Sequence, residues 1–464
     1  MSDTPVRGTG PAAAAEEARQ DHDGAVESAV SKAVRRLVPF LLLMYVLAFL
    51  DRVNIGFAQE SFQADTRLGD AAYAFGAGIF FLGYVLLEVP SNLLLRRFGA
   101  RVWMARIMIT WGVISAALMT AHTAGVFYVL RFLLGVAEAG FFPGVIYFLT
   151  LWVPAGHRAR VMSLFYFGAP LAFIFGSPLS GLLLEMDGLS GLHGWQWLFL
   201  VQGLVTVVVG VIALRVLPDS PESASWLTPH EKGALAAAAG AEDARGEESS
   251  VLRALRSGRV LYLSLIYFVI QVSVYGVTFF LPTQVGALLG TDVGVEVSLV
   301  TAVPWVCAIV GCVVAGRVSD RTGRRLSVAV CCLVAGAAGI AGSAAAGSPG
   351  LALAALCVAA AGFIAVQPVF WTQPTAFLTG AAAAGGIALI NSLGSVGGFV
   401  APNVKTWADG VAGSQTAGLH VIAGFTLAGA CLLAGLGAWQ RRTRRMETAH
   451  GAAEARGAEV EGAV

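Results

Sequence analysis

Five polar residues stand where lipid would penalise them. Asp51, Arg52 and Asn54 lie in YVLAFLDRVNIGFA, inside an apolar run that begins near Leu37; Arg131 and Glu138 lie in RFLLGVAEAGFFPG. A charge at the centre of a membrane helix costs about 2.5–3.5 kcal/mol on insertion scales, so four at that depth cost about 10–14 kcal/mol if summed. Pairing and a wet cavity must offset most of that. Arg131 and Glu138 are separated by about 700° of helix, so they share a face about 10 Å apart along the axis. Asp51 and Arg52 point about 100° apart, and Asn54 shares the face of Asp51. A structural salt-bridge network is one reading, but buried ion pairs stabilise weakly. The sharper expectation is a polar cavity that binds an anion and carries protons. Arg52 and Arg131 can fork onto a carboxylate. Glu138, between Ala137 and Ala139 with Gly140 beyond, can hold a proton, and Asp51 would neutralise Arg52 when no anion is bound.

These residues need helices to hold them at depth. Of the 464 residues, 56% are hydrophobic and 13% charged, the latter about half the usual share of a soluble domain. The solvent is therefore a bilayer; the net charge of +1 says nothing about partners, because the sidedness of charge matters more than its sum, and no nucleic-acid partner is expected. A span needs about 20 residues. Spans are expected near 37–58, 73–95, 102–121, 125–148, 161–184 and 196–217, then near 260–289, 297–317, 327–346, 350–373, 383–408 and 417–439. The fold class is all-α: twelve transmembrane helices in two bundles, 35–217 and 259–440, with a central loop at 218–258 and tails at 1–34 and 441–464. The first tail is polar and expected to be disordered; it is not a signal peptide. In the central loop, Thr228-Pro229-His230-Glu231 spells a capping box, and VLRALRSGR reads as a basic amphipathic piece.

Charge sidedness fits an even count. Lys32, Arg35, Arg36, Arg96, Arg97, Arg101, Arg158, Arg160, Arg317, Arg321, Arg324, Arg325 and the Arg441–Arg445 cluster fall on one side, whereas the opposite loops hold Arg67, Lys405 and several acids. The positive-inside rule then puts both termini in the cytoplasm. The six cysteines lie in apolar segments without metal-ligand spacing and read as small core residues. No metal or cofactor is expected. With no Walker-type loop, no nucleophile–base pair and no sizeable output module, an ion gradient is the evident energy source, and an enzyme or receptor is disfavoured.

One loop occurs twice. GRVSDRTGRR, Gly316 to Arg325, aligns with NLLLRRFGAR so that Arg321 falls on Arg97, Gly323 on Gly99 and Arg325 on Arg101. The second copy resembles the Gly-x-x-x-Asp-Arg-x-Gly-Arg-Arg motif of the major facilitator superfamily; the first departs from it at Asn92 and Arg96. The expected role is a conformational latch formed by Gly316, Asp320, Arg321, Gly323, Arg324 and Arg325 with Arg97, Gly99 and Arg101: Asp320 bonds a neighbouring helix end while the arginines hold cytoplasmic charge and lipid headgroups. LDRVNIGFA, EVPSNLLLRRFGARVWMARIMITWG, RFLLGVAEAGFFPGVIYFLTLW and ALINSLGSVGGFVAPNV are further similar to the anion:cation symporter family, in its bacterial tartrate-transporter-like branch with relatives among galactonate, glucarate and phthalate permeases. That resemblance implies proton-coupled uptake of a small organic carboxylate by alternating access in the inner membrane, by a monomer. It implies Asp51 and Glu138 as proton carriers and an arginine, Arg52 or Arg131, as carboxylate ligand. An anion exchanger, an efflux antiporter or uptake of an aromatic carboxylate is the alternative.

Other polar residues are candidate cargo contacts beside Asn54. Tyr45 and Tyr84 lie at positions suited to the cavity. Gln271 and Tyr275 are four apart in the seventh span, Gln367 and Trp371 repeat that spacing in the tenth, and Asn391 enters the eleventh. Each can equally serve interhelical hydrogen bonding. Trp305 reads as packing, and Gly176, Pro178, Gly394, Gly397 and Gly398 as sites of close contact or bending.

Overall fold

In the computed structural model, residues 11–154, 167–243, 257–375 and 380–461 are described. The first bundle is built from α1 (Pro11–Thr66), α2 (Asp70–Phe98), α3 (Ala100–Ala117), α4 (Ala124–Glu138), α5 (Phe141–Trp152), α6 (Gly168–Leu184) and α7 (Gly194–Val216). A linker helix, α8 (Pro229–Asp243), precedes α9 (Gly258–Thr278), α10 (Leu281–Leu289), α11 (Val295–Thr322), α12 (Arg325–Ala345), α13 (Pro349–Thr375), α14 (Gly380–Ala412) and α15 (Ala417–Glu461). Among the described residues, 11 helices are long and apolar enough to cross a membrane, with α4–α5 and α9–α10 each acting as one span. Apolar α6 is the twelfth, with 17 residues described. The start of the expected fifth span, Arg158 and Arg160, and most of VLRALRSGR lie outside the described residues.

Among the described residues two spans are broken, and the sequence shows why. After Glu138 the backbone leaves the helix at Ala139 and turns through Gly140 at φ 85°, a left-handed conformation that costs a residue with a Cβ about 1–2 kcal/mol. In the seventh span the break falls at Phe279 and Phe280, ahead of Pro282, which lacks the N–H an uninterrupted helix would need. Discontinuous spans expose backbone polar groups, which lipid tolerates only where they are buried in protein or line a cavity.

Within the first bundle α2 packs on α4, α3 on α7 and α1 on α6; within the second, α12 packs on α13 and α9 on α14. The bundles meet along α2–α14 and α6–α11, with α1 touching α10. Phe173 of α6 stacks on Trp305 of α11, ring centroids 3.6 Å apart and planes 9° from parallel, so Trp305 packs the seam. At the end away from the arginine-rich loops, Glu60 accepts from the Val293 N–H at 3.3 Å and Glu185 from the Val295 N–H at 3.4 Å. A Cβ on Gly56 would sit 2.5 Å from the Phe279 carbonyl oxygen, so only glycine permits this approach of α1.

The duplicated loop has a backbone basis: Gly99 and Gly323 take φ of 86° and 66°, ending one helix before the next begins. The latch expectation needs correction for this conformation. Asp320 is exposed and makes no hydrogen bond or ion pair with the described residues. Arg321, Arg324 and Arg325 are also exposed, Gly316 has open space around it, and Arg97 lies over its neighbour Phe98. Arg101 instead pairs with Asp219 at 2.8 Å, half-exposed on both sides, where an ion pair contributes little.

Two further expectations change. Residues 11–34 form the start of α1 rather than a disordered tail. The helix continues because it docks on α8: Ser28 Oγ and Lys32 Nζ both donate to Glu231 Oε1 at 2.7 Å. Glu231 also closes the expected capping box, accepting from the Thr228 N–H at 2.9 Å while its own N–H donates to Thr228 Oγ1 at 3.2 Å. Lys405 is not in a loop but buried inside α14, paired with Asp409 one turn on at 2.7 Å.

Candidate functional site

Arg52 leaves α1 toward the break that follows α4. Its Nε and Nη2 reach Glu138 Oε1 at 2.7 and 2.5 Å, and Glu138 Oε2 has no protein partner. Glu138 is fully buried, whereas the Arg52 side chain keeps 13% exposure. Three aromatic rings surround the guanidinium: Tyr84 at 4.9 Å, Phe49 at 5.4 Å and Phe80 at 5.6 Å to their centroids. Such rings stabilise a cation where little water reaches it. Tyr275 comes to Arg52 from α9, so the second bundle completes the pocket. Gln271, one turn before Tyr275, is buried with Oε1 unpartnered. Tyr45 packs against Phe49 and Phe142, one aromatic layer behind the guanidinium.

The structure separates residues that the sequence groups together. Asp51 does not face this pocket. It is buried between α1, α3 and α7, accepting from Trp111 Nε1 at 2.5 Å, Ser115 Oγ at 2.6 Å and Thr206 Oγ1 at 3.2 Å. Asn54 follows it there, donating to Asp51 Oδ1 at 3.4 Å. The counter-ion of Arg52 is therefore Glu138, not Asp51, because adjacent helix residues cannot share one partner. Arg131 is likewise withdrawn: fully buried, it donates from Nη2 to the Ala77 carbonyl at 3.0 Å and from Nε to the Gly76 carbonyl at 3.3 Å. In this conformation it clamps the backbone of α2 through Nε and Nη2, while Nη1 has no hydrogen-bond partner. Gln367 is half-buried without a hydrogen bond to the described residues, and Trp371 packs on Tyr267 and Phe370.

Asn391 does reach the interface, but toward a residue absent from the expected set. Its Nδ2 donates at 2.8 Å to Glu88 Oε1, and Ser392 Oγ donates to Glu88 Oε2. Glu88 is a fully buried carboxylate one turn beyond Tyr84 on α2. The signal that picks out Glu138, an acid within an apolar helix, was equally present at Glu88. A concavity of about 600 Å³ also opens between the bundles at the opposite end, lined by Gln59, Asp70, Gln284, Lys405 and Asp409. Its one buried cation is already neutralised by Asp409, so the Arg52 pocket has the better claim to an anion.

What this arrangement can do follows from its atoms. One guanidinium offers a planar donor fork, a carboxylate occupies that fork, and hydroxyls and amides come from both bundles. An incoming carboxylate can take the place of Glu138, which can then accept a proton.

Comparison with known proteins agrees with the helical architecture. Residues 41–402 match the Major Facilitator Superfamily. The chain is 50% identical to the inner membrane transport protein RhmT of Escherichia coli, covering 88% of this chain and 95% of that one. It is 47% identical to a putative tartrate transporter of Agrobacterium vitis (86% and 89% covered). It is 42% identical to a quinolone resistance transporter of Acinetobacter baumannii (83% and 90% covered). Among solved structures, the partially occluded inward-open xylose transporter XylE of E. coli superposes with a TM-score of 0.70 at 15% identity, over 87% of this chain and 97% of that one.

Proposed function

Because the chain belongs to the Major Facilitator Superfamily and is a multi-pass membrane transporter, we propose that it imports a small hydroxylated carboxylate, of the tartrate or aldonate type, by proton symport. The observation that carries this reading is the Arg52–Glu138 pair at the mouth of a broken span, closed by Tyr275 from the second bundle. In the cycle, the cargo carboxylate displaces Glu138 and binds the Arg52 fork. Glu138, desolvated and without its cation, takes a proton, which offsets the burial of a second negative charge. Tyr84, Tyr275 and Gln271 read the cargo hydroxyls, and Asn391 joins them from α14. Asp51 is a second proton site that acts through the packing of α1, α3 and α7 without touching cargo. The bundles then rock about the seam. The arginine-rich loops face the cytoplasm, and so do both termini.

The names of two relatives as putative tartrate transporters support this cargo class. The relative named for quinolone resistance favours a second reading, efflux of an aromatic carboxylate through the same pocket. Uptake into proteoliposomes of a panel of labelled carboxylates, with and without an inward proton gradient, separates them. Accumulation of a hydroxy-acid under the gradient alone is expected. Gradient-independent equilibration overturns symport, and movement of aromatic acids alone, against an opposing proton flux, selects efflux.

A further inference from the structure

The seam between the bundles holds one buried carboxylate that the transport mechanism above does not use. Glu88 projects from α2 at 0% exposure, and both of its side-chain oxygens accept from α14, through Asn391 Nδ2 and Ser392 Oγ. No ion pair joins it to any described residue. The charged and titratable groups around it are spoken for. Arg52 on α1 is bound to Glu138 on α4, Tyr275 on α9 and Tyr84 on α2 face Arg52, and Arg101 on α3 pairs with Asp219. Arg106 on α3 lies over the Trp103 ring, α5 carries no charged residue, and α14 supplies only the neutral amide and hydroxyl. Both hydrogen-bond donors to the Glu88 side chain therefore belong to the other bundle, while Arg52 of its own bundle adds only a longer-range attraction.

That dependence has a mechanical consequence. Parting α2 from α14 would strand an ionised carboxylate in a site without donors, which is strongly unfavourable. A protonated carboxyl carries a much smaller one. Among the described residues, the other hydrogen bonds across the seam are that of Tyr275 with Arg52, at the candidate site, and those from Val293 to Glu60 and from Val295 to Glu185, at the end away from the arginine-rich loops. Glu88 lies only ten residues from Phe98, about 15 Å along α2 from the arginine-rich end. It is placed to hold that side shut.

We propose that Glu88 is a positioning residue for the second bundle: ionised, it holds Asn391 and Ser392 and keeps the arginine-rich side closed; protonated, it frees Asn391 for cargo and lets the bundles part there. The step adds one proton to the carboxylate and exchanges two interbundle hydrogen bonds for cargo or water. It rests on the alternating-access reading above but not on the identity of the cargo.

The test therefore contains no cargo. Spin labels are attached at R97C and R324C, exposed positions on the arginine-rich ends of the two bundles, in the full chain with its six native cysteines replaced by alanine. Interspin distances are read by double electron–electron resonance between pH 5.5 and 8.5. The wild-type residue at 88 should give a longer distance as pH falls. Glu88→Gln should give the long distance throughout, and the double variant N391A/S392A, with Glu88 intact, should lose the short-distance population at pH 8.5. Glu138→Gln should keep the pH response. A wild-type distance that does not move, or a response that survives Glu88→Gln and vanishes in Glu138→Gln, overturns the proposal. Failure of every carboxylate in the uptake panel would leave this result standing, so the two readings fail separately.

Discussion

Arg52 and Glu138 meet at 2.5 Å although 86 residues of chain separate them, and the second oxygen of Glu138 has no protein partner. The pair is thus half-saturated: the carboxylate neutralises the guanidinium without filling its own acceptor capacity. A cargo carboxylate that brings its own hydrogen bonds can replace it.

Replacing Arg52 by Lys keeps the charge but removes the fork. A point charge cannot bind a carboxylate in bidentate fashion, and losing about 1.4–2.8 kcal/mol of charge-assisted bonding weakens binding by about 10- to 100-fold. Titration of the purified protein with the transported acid checks this; unchanged affinity would remove Arg52 as the ligand. Glu138→Gln should abolish gradient-driven accumulation and preserve counterflow exchange, because the amide fills the same volume but takes no proton. Undiminished pH-driven uptake in that variant would sink the assignment.

Asp51 answers to a different experiment. Trp111 can only donate, whereas Ser115 and Thr206 can turn to accept. In Asp51→Asn the amide oxygen can keep Trp111 and the NH₂ can meet a hydroxyl, so the loss of stability should stay near 1–2 kcal/mol. Asp51→Leu leaves Trp111 Nε1, Ser115 and Thr206 facing an apolar side chain, a loss of about 3–5 kcal/mol. Thermal unfolding in detergent should rank them in that order. With counterflow retained, Asp51→Asn should lower the accumulation ratio. If accumulation is unchanged while stability drops, Asp51 is a structural acid only.

The division of labour among these charges was only half legible in the sequence. Hydropathy reveals spans because lipid admits little else, and a charged residue within a span reveals itself by its cost. Which partner each charge takes is a tertiary fact. Arg131 shares a helix face with Glu138 yet ends on the carbonyls of Gly76 and Ala77, which no pattern of side chains announces. Asp51 finds Trp111, Ser115 and Thr206 on helices that only the fold brings beside it. The capping box at Thr228 and Glu231 was readable because it is local. The helix at 11–34 was not, because the contacts that fix it come from α8, about two hundred residues away.

That docked segment titrates. Lys32, the Thr228 N–H and Ser28 hold the Glu231 carboxylate well below its usual range, at about 2. A depressed folded-state value stabilises the docked form above the ordinary glutamate pKa of about 4.3. The stabilisation is lost as pH falls from there through about 2. Docking of α1 on α8 should therefore be insensitive to pH between 5 and 8 and weaken only in strong acid. Glu231→Gln should release it at neutral pH, seen as faster proteolysis within residues 11–34. Equal protease resistance in the variant would show that apolar contacts alone hold the segment.

Gly140 sets the break two residues beyond Glu138. Its φ of 85° lets the chain turn between α4 and α5 immediately after Glu138, and a Cβ there would also collide with the Ser91 side chain on α2. Gly140→Ala should cost about 1–2 kcal/mol for the left-handed backbone alone, with the Ser91 contact adding to it. If the chain relaxes by extending the helix through residue 140, Glu138 rotates away from Arg52 and the fork loses its resting partner. The expected outcome is a lower unfolding temperature together with a changed pH dependence of cargo binding, read on the same purified sample. A variant that is less stable but binds with an unaltered pH profile would place the break at Gly140 in the service of packing and leave Glu138 positioned by α4 alone.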